Sequence, residues 1–291
     1  MLPRVPRLLI VNPFATRVDE RQIERVAAEL RVTDVRRTER AGHATQLVRE
    51  AGDVEAIYVF SGDGGFNEAL NGSDGSVPLG FVPGGGTSVL PRALGLPRDP
   101  VAAARALRDA RTRRIAVGRV NGRRFGFSAG FGLDAELVRR VDGLGRDASG
   151  KRAGDLRFVA TALRVLAEHR VRFDPVLEVE GAGRVAFLLV ANADPYTYVG
   201  PVPLRLARHA RFDRGLDAVG PTRFRLRHVP GALVYLATGR HALPLLELRD
   251  ADALTVRADR PLPLQADGED LGDATEVVLE AERDAVTVLA P

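Results

Sequence analysis

Cysteine and tryptophan are absent from the 291 residues, and methionine occurs once. Without cysteine there is no disulfide framework, thiol nucleophile or thiolate metal site, and a reducing compartment is expected. Aromatic residues make up only 5% of the chain, too few for a base-stacking platform, so nucleic acid is not an expected partner. No run of about 18 apolar residues occurs, and no helical membrane span is expected. Residues 1–14 hold too short an apolar run, and no small-residue cleavage site, for a signal peptide. Lysine is nearly missing too: Lys151 is the only one among 42 basic residues, and arginine supplies the rest.

What remains is 45% hydrophobic and 27% charged, with a net charge of +4. That length and composition bury a core, forming one large domain or two ordinary ones. The positive balance favours anionic partners such as nucleotides or phospholipid headgroups, without choosing between them.

Up to about residue 112, strand and helix patterns alternate, the signature of an α/β domain. Strands are expected at 7–11, 32–37, 56–60 and 79–82. Helices are expected at 19–30 (Ile23, Val26 and Leu30 at helical spacing, Asp19 as cap), 44–51, 66–70, 88–94 and 100–110. Beyond that, short strands separated by glycine and proline imply a sandwich or barrel. They are expected at 115–120, 125–128, 176–179, 185–191, 216–219, 254–258, 262–265, 276–279 and 285–289. Helices at 133–141 and 156–170 interrupt them. The boundary falls near 112–120, dividing the chain into 1–117 and 118–291, with the final residues able to return to the first domain. The glycine- and charge-rich stretch 142–155 is expected to be a mobile loop.

Two glycine loops carry the chemistry. Ser61-Gly62-Asp63-Gly64-Gly65 joins a buried strand to the helix opened by Phe66, Asn67 and Glu68. Three glycines in four positions let backbone N–H groups converge on an anion, and the helix N-terminus adds partial positive charge. Asp63 inside such a cradle either touches a metal or a nucleotide hydroxyl, orders water, or caps the helix. Pro83-Gly84-Gly85-Gly86-Thr87-Ser88 repeats the arrangement after the next strand. Both loops lie at the edge where open α/β sheets bind ligands, and Asn12-Pro13-Phe14-Ala15-Thr16 ends the first strand there as a third wall. No G-x-G-x-x-G follows the first strand, and in the P-loop-like stretch 145–151 an arginine, Arg152, stands where a Ser or Thr should hold Mg²⁺. Taken alone, Asp267-Gly268-Glu269 reads as a hairpin turn, and Asp213 and Asp217 as a solvated turn.

In order and spacing these motifs resemble the diacylglycerol kinase catalytic superfamily of lipid kinases, over nearly the whole chain. The resemblance runs through Asn12-Pro13; Thr38, Gly42, His43 and Ala44; the signature loop Ser61–Glu68; Pro83–Val89 with the following Arg92–Pro97; 127–136; Asp194-Pro195-Tyr196; 212–217; and Asp267-Gly268-Glu269. It implies a Rossmann-like three-layer α/β nucleotide domain and a C-terminal β-sandwich-like domain, with ATP in the cleft between them. The implied activity is transfer of the γ-phosphoryl group to a lipid hydroxyl, with a soluble alcohol such as NAD, or binding without catalysis, as alternatives.

The resemblance assigns ATP contacts to Asn12, Pro13, Phe14, Ala15, Thr16, Thr38, Gly62, Asp63, Gly64, Gly65, Phe66, Asn67, Glu68, Gly86 and Thr87. Glu269 becomes the proton acceptor, with Asp267 beside it and Asp63 in the catalytic set, and Mg²⁺ lies near Asp213 and Asp217. A cytoplasmic protein touching the anionic inner membrane face through arginines including Arg146 and Arg152 is expected; a homodimer is left open. The chain departs from the family pattern where Gly65 and Gly86 replace hydroxyl residues, Ser88 replaces Asn, and Val89 stands where Asp is common. Backbone N–H groups and arginines must then carry more of the ATP contact.

Overall fold

The computed structural model describes residues 6–143, 155–200, 202–240 and 242–291. The chain divides into two compact units, one reaching from the N-terminus to Val117 and including Arg283–Pro291, the other Gly118–Glu282.

The first unit contains β1 (Arg7–Val11), α1 (Glu20–Leu30), β2 (Asp34–Arg37), α2 (His43–Arg49), β3 (Ala56–Ser61), α3 (Asp63–Gly72), β4 (Leu79–Pro83), α4 (Val89–Ala93) and α5 (Pro100–Arg108). Its strands run parallel in the order β2–β1–β3–β4, and the chain's last strand joins beyond β4 with Val288 opposite Leu79. Every residue of β3 is buried, as expected of a central parallel strand covered on both faces. On one face Ile23, Val26 and Leu30 of α1 and Ala103, Ala104 and Leu107 of α5 pack on Leu9, Val11, Tyr58, Phe60 and Val82. On the other, α2 packs on α3, and Phe66 of α3 meets Phe81 of β4 edge-to-face, ring centroids 5.3 Å apart. Burying Phe66 completely contributes about 2–3 kcal/mol. Asp19 caps α1 by accepting the Gln22 N–H at 2.8 Å.

Chain order builds outward from β1 to β2, then jumps back across β1 to β3 and β4. The direction of winding therefore reverses between β1 and β3, and the carboxyl ends of those strands are where such sheets hold ligands. Asn12 follows β1 and Gly62 follows β3 at that point, tied by the Asn12 N–H donating to the Phe60 carbonyl at 3.0 Å.

The second unit is β-rich. Strands 245–251, 216–221, 188–191, 128–131 and 253–266 lie side by side, all antiparallel, and residues 269–280 pair with 253–266. The strand Ala253–Ala266 changes partners along its length. Val256–Ala258 pair with Leu177–Val179, whereas Leu264–Ala266 pair with Ala129–Phe131, and a register shift separates the two. Such a bend turns one strand into a corner of a sandwich, enclosing a core of Phe125, Phe131, Val190, Leu216, Val256, Leu264 and Val277.

Several elements differ from the sequence expectation. The helix expected from Phe66 begins at Asp63, so Gly64 and Gly65 form its first turn. The strand expected over 125–128 breaks at Gly126-Phe127, because those two N–H groups bind the Asp267 carboxylate instead of a neighbouring strand. Two pairs of expected strands merge into Ala253–Ala266 and Glu269–Ala290. The helix Val229–Thr238 was not anticipated; its near-continuous apolar run has no helical periodicity to read. The stretch 144–154, with Arg146, Lys151, Arg152 and the P-loop-like segment, lies outside the described residues. Among the described residues no helix is long and apolar enough to cross a membrane.

Candidate functional site

The tips of β3 and β4 touch through glycine. A Cβ on Gly85 would lie 2.8 Å from the Gly62 Cα, too close for any side chain, whereas one on Gly62 would lie 3.4 Å from the Gly85 Cα; glycine at 85 is what lets the two loops close on each other. The Gly84 N–H donates to the Ser61 carbonyl at 2.7 Å, continuing the ladder past the strand ends. Asp63 ties the loops a second time by accepting the Val89 N–H at 2.7 Å. Asp63 thus joins the first turn of α3 to the start of α4.

Around this fixed base the backbone stays accessible. A Cβ on Gly64 or Gly86 would meet nothing within 4 Å. Gly62 is the N-cap of α3, and the first intrahelical bond runs from the Phe66 N–H to the Gly62 carbonyl at 3.2 Å. The N–H groups of Asp63, Gly64 and Gly65 therefore lie before the helix ladder begins, at its partially positive end. A polyphosphate fits donors of this kind.

Gly65 has a local cause. A Cβ there would stand 2.1 Å from the Ser61 Oγ. Ser61 is 1% exposed, and its hydroxyl has no hydrogen-bond partner among the described residues. The serine side chain fills the volume that a residue-65 side chain would need.

Two arginines overlooked in the sequence flank the second loop. The Arg98 guanidinium donates to the Gly86 carbonyl at 3.0 Å; the backbone N–H of Arg17 donates to the Gly84 carbonyl at 2.8 Å, and the Arg17 guanidinium donates to the Arg98 carbonyl at 3.5 Å. Burial and the neighbouring Arg98 charge lower the Arg17 pKa. No motif marks either residue; only the fold brings 17 and 98 to one place.

The structure revises other assigned roles. The Phe66 side chain lies wholly in the core, leaving only its backbone for a ligand. Both Glu68 carboxylate oxygens accept N–H groups from the start of α2, Gly42 at 2.8 Å and Ala44 at 3.0 Å, so Glu68 ties α3 to the start of α2. Asn67 is buried beside Asn71. Thr38 is buried, and its N–H donates to the Val11 carbonyl at 2.8 Å. In the loop after β1, the Asn12 Oδ1 accepts the Phe14 N–H at 3.0 Å and the Ala15 N–H reaches the Asn12 carbonyl at 3.2 Å, while Phe14 and Thr16 are exposed. Thr87, beside Gly86, is half-buried.

In the second unit Asp267-Gly268 forms a two-residue hairpin turn between Ala266 and Glu269, with φ of 49° and 77°, the geometry of a tight Asp-Gly turn. The two acids of this turn have opposite environments. Asp267 is 5% exposed and accepts the N–H groups of Gly126 (2.6 Å), Phe127 (2.9 Å) and Ser128 (3.2 Å). Glu269 is 47% exposed and paired with Arg123. Asp267 is thus a buried clamp on the turn, not a second reactive acid. Gln265 adds another hold: its Oε1 accepts the Gly268 N–H at 2.9 Å, and its Nε2 donates to Asp134 at 2.6 Å. The Tyr196 hydroxyl also donates to Asp134. Burial raises the Asp134 carboxyl above the usual range, and burial beside Asp134 pushes the Tyr196 phenol up.

The carboxylates assigned to Mg²⁺ have other partners. Asp213 forms a two-pronged pair with Arg211 (3.0 and 3.1 Å). Asp217 is buried, which raises its pKa, and accepts the Asp250 N–H at 2.9 Å. Among the described residues no group of three or more acidic or histidine side chains is arranged to hold a metal. These donors do not fit a Mg²⁺ site at Asp213 and Asp217.

Comparison with solved structures shows a shared fold. The chain superposes on the crystal structure of a diacylglycerol kinase from Bacillus anthracis str. Sterne with a TM-score of 0.74 and 20% identity, covering 100% of this chain and 98% of that one. Residues 6–120, well under half of the chain, match the diacylglycerol kinase catalytic domain. The chain is 38% identical over 115 residues to a diacylglycerol kinase of Bacillus subtilis strain 168, and 34% identical over 109 residues to one of Staphylococcus haemolyticus strain JCSC1435. Those stretches cover 38% and 36% of this chain, and 38% and 32% of the two relatives, well under half of either.

Proposed function

We propose that this protein is an ATP-dependent lipid kinase that phosphorylates the hydroxyl of diacylglycerol or a related lipid. The observation that carries the reading is the Gly62–Gly85 contact at the winding reversal of the first unit, with the Gly64 and Gly86 backbone left open beside it. Phosphoryl transfer asks little of a protein beyond positioning and charge neutralisation. The α3 N-terminal amides supply the first, and Arg17 and Arg98 supply counter-charge beside the loop that the hydroxyl residues of the family pattern no longer occupy. The half-exposed Glu269, steadied by Arg123 and presented on a clamped turn, suits a general base.

In the proposed reaction the lipid hydroxyl oxygen bonds to the γ-phosphorus and the bond to the β-phosphate oxygen breaks. ADP leaves, and the hydroxyl proton passes to the Glu269 carboxylate. Mg²⁺ bound with the nucleotide would supply counter-charge to its phosphates.

Incubation with γ-labelled ATP, Mg²⁺ and mixed vesicles containing diacylglycerol tests this reading. Label in the lipid extract is the expected result. Label in a soluble alcohol such as NAD, or nucleotide binding with no transfer, would overturn it.

A further inference from the structure

We propose that the helix Leu133–Gly143 is the positioning element for Glu269, holding the chain on both sides of the Asp267-Gly268 turn through Asp134 and Arg139. The proposal rests on the reading of Glu269 as general base; the hold on the turn rests on the following geometry, all of it within the second unit.

Before the turn, the hold passes through Gln265. This residue is 1% exposed, so the polar atoms of its amide need partners inside the protein. Its Nε2 donates to the Asp134 Oδ2 at 2.6 Å and to the Tyr196 hydroxyl at 3.2 Å. The Tyr196 hydroxyl donates in turn to the same Asp134 oxygen. The three side chains close a triangle in which the Asp134 Oδ2 only accepts. That fixes which way the amide faces. With Nε2 committed to Asp134 and Tyr196, Oε1 is left to accept the Gly268 N–H at 2.9 Å. Turned over, the amide would set Oε1 against a carboxylate oxygen and its own donors against the Gly268 N–H. Asp134 therefore acts on the turn through Gln265.

A glycine leaves the space for this contact. Gly130 lies opposite Gln265 in the neighbouring strand, and a Cβ there would stand 2.0 Å from the Asp134 Oδ2. Glycine inside a strand weakens it and marks a place where another group approaches closely; here that group is the carboxylate. The Gly132 N–H donates to the Pro263 carbonyl at 2.9 Å, joining the start of the helix to the strand that carries Gln265.

After the turn, the same helix holds the outgoing strand. Arg139 donates to both Asp270 oxygens, at 2.8 and 3.0 Å, and pairs with Asp273 at 2.7 Å. Glu269 thus stands between two residues, Gln265 and Asp270, that are each tied to one helix. The helix is itself anchored, with Ala135 wholly buried and Glu136 meeting His169 at 3.1 Å. Asp134, Gln265 and Arg139 take no proton in the reaction; they fix where the Glu269 backbone stands. Misplacing a reacting group by about 1 Å can cost about a hundredfold in rate.

Two measurements on the full chain test this. The first needs no substrate: amide hydrogen exchange read at Gly268 by NMR. The Gly268 N–H should exchange about tenfold faster or more in Asp134→Ala and in Gln265→Met than in wild type, the size of one lost hydrogen bond. Asp134→Asn, which keeps an acceptor oxygen for Nε2, should exchange close to the wild-type rate. The second is steady-state transfer from γ-labelled ATP to diacylglycerol in mixed vesicles. Asp134→Ala and Gln265→Met should lower kcat by about tenfold to a hundredfold with the KM for ATP unchanged, and Asp134→Asn should restore most of it. Arg139→Met, at a partly exposed position, should fold whatever the buried variants do and lower kcat about two- to fivefold, the worth of an exposed ion pair.

Unchanged exchange at Gly268 in both Asp134→Ala and Gln265→Met would overturn the proposal whatever the kinase assay shows. So would faster exchange with unchanged kcat, or a wild-type kcat in Arg139→Met. A wild-type chain that transfers no phosphate, or a Glu269→Gln variant with undiminished turnover, would instead overturn the base assignment on which the proposal rests, while exchange at Gly268 would still decide whether the helix holds the turn.

Discussion

The Asp63 carboxylate accepts the Val89 N–H at 2.7 Å across 26 residues of chain. This bond joins the two glycine loops of the first unit, and it explains an acid beside an expected phosphate cradle: the charge serves a backbone donor at the start of α4. Asp63→Ala should lower nucleotide affinity by about tenfold, the size of one charge-assisted hydrogen bond. Asp63→Asn, which keeps an acceptor oxygen, should lose much less. Titration with a fluorescent ATP analogue separates the two, and equal affinities for wild type and Asp63→Ala would remove Asp63 from the site.

Ser61 and Gly65 compete for one volume. Gly65→Thr alone should destabilise the protein by about 1–3 kcal/mol through overpacking. The double variant S61G/G65T, which moves the hydroxyl from one position to the other, should regain most of that loss. A thermal or denaturant double-mutant cycle reads the coupling. Additive effects would show that the two side chains do not share the space.

Asp267 and Glu269 should separate cleanly into stability and chemistry. Asp267→Ala leaves three buried N–H groups without their acceptor and should cost about 3 kcal/mol or more in denaturant unfolding. Glu269→Gln removes an exposed ion pair worth under about 1 kcal/mol, so its unfolding should barely change. Phosphoryl transfer in that variant should nonetheless fall by about 10²–10⁴-fold, with nucleotide affinity retained. Undiminished turnover in Glu269→Gln would exclude it as the base.

Acid sensitivity should be felt at Glu282. Hydrogen bonds from Arg124 and Arg119 lower its carboxyl from 4.5 to about 2. Because the folded value lies below the ordinary one, its stabilisation is complete above pH 4.5 and drains away as pH falls toward 2. Glu282→Gln should cost about 1–2 kcal/mol at pH 7, allowing for screening of a partly exposed group. The gap from wild type should close by pH 2. A gap independent of pH between 2 and 7 would contradict this origin.

Much of the first unit was legible because its signals are local. The buried run Ala56–Phe60, the periodic Ile23, Val26 and Leu30, and the capping Asp19 each state an element within a dozen residues, and the glycine loops mark the strand ends. The Asp-Gly pair likewise announced its hairpin. The roles inside the loops were less visible, since Glu68 and Asp267 carry the residue type a catalytic acid would have and differ from one only in where their N–H partners come from.

Residue order alone settled the alternation of strands and helices, the position of both glycine turns and the likeness to the lipid kinase family, since each depends on neighbours in the chain. Folding alone decided that Arg17 and Arg98 converge on the second loop, that Ser61 excludes a side chain at 65, and that Asp267 is enclosed while Glu269 is open. Those outcomes depend on contacts between residues far apart in sequence, and hydrogen-bond partners and burial are properties of packed surfaces rather than of composition.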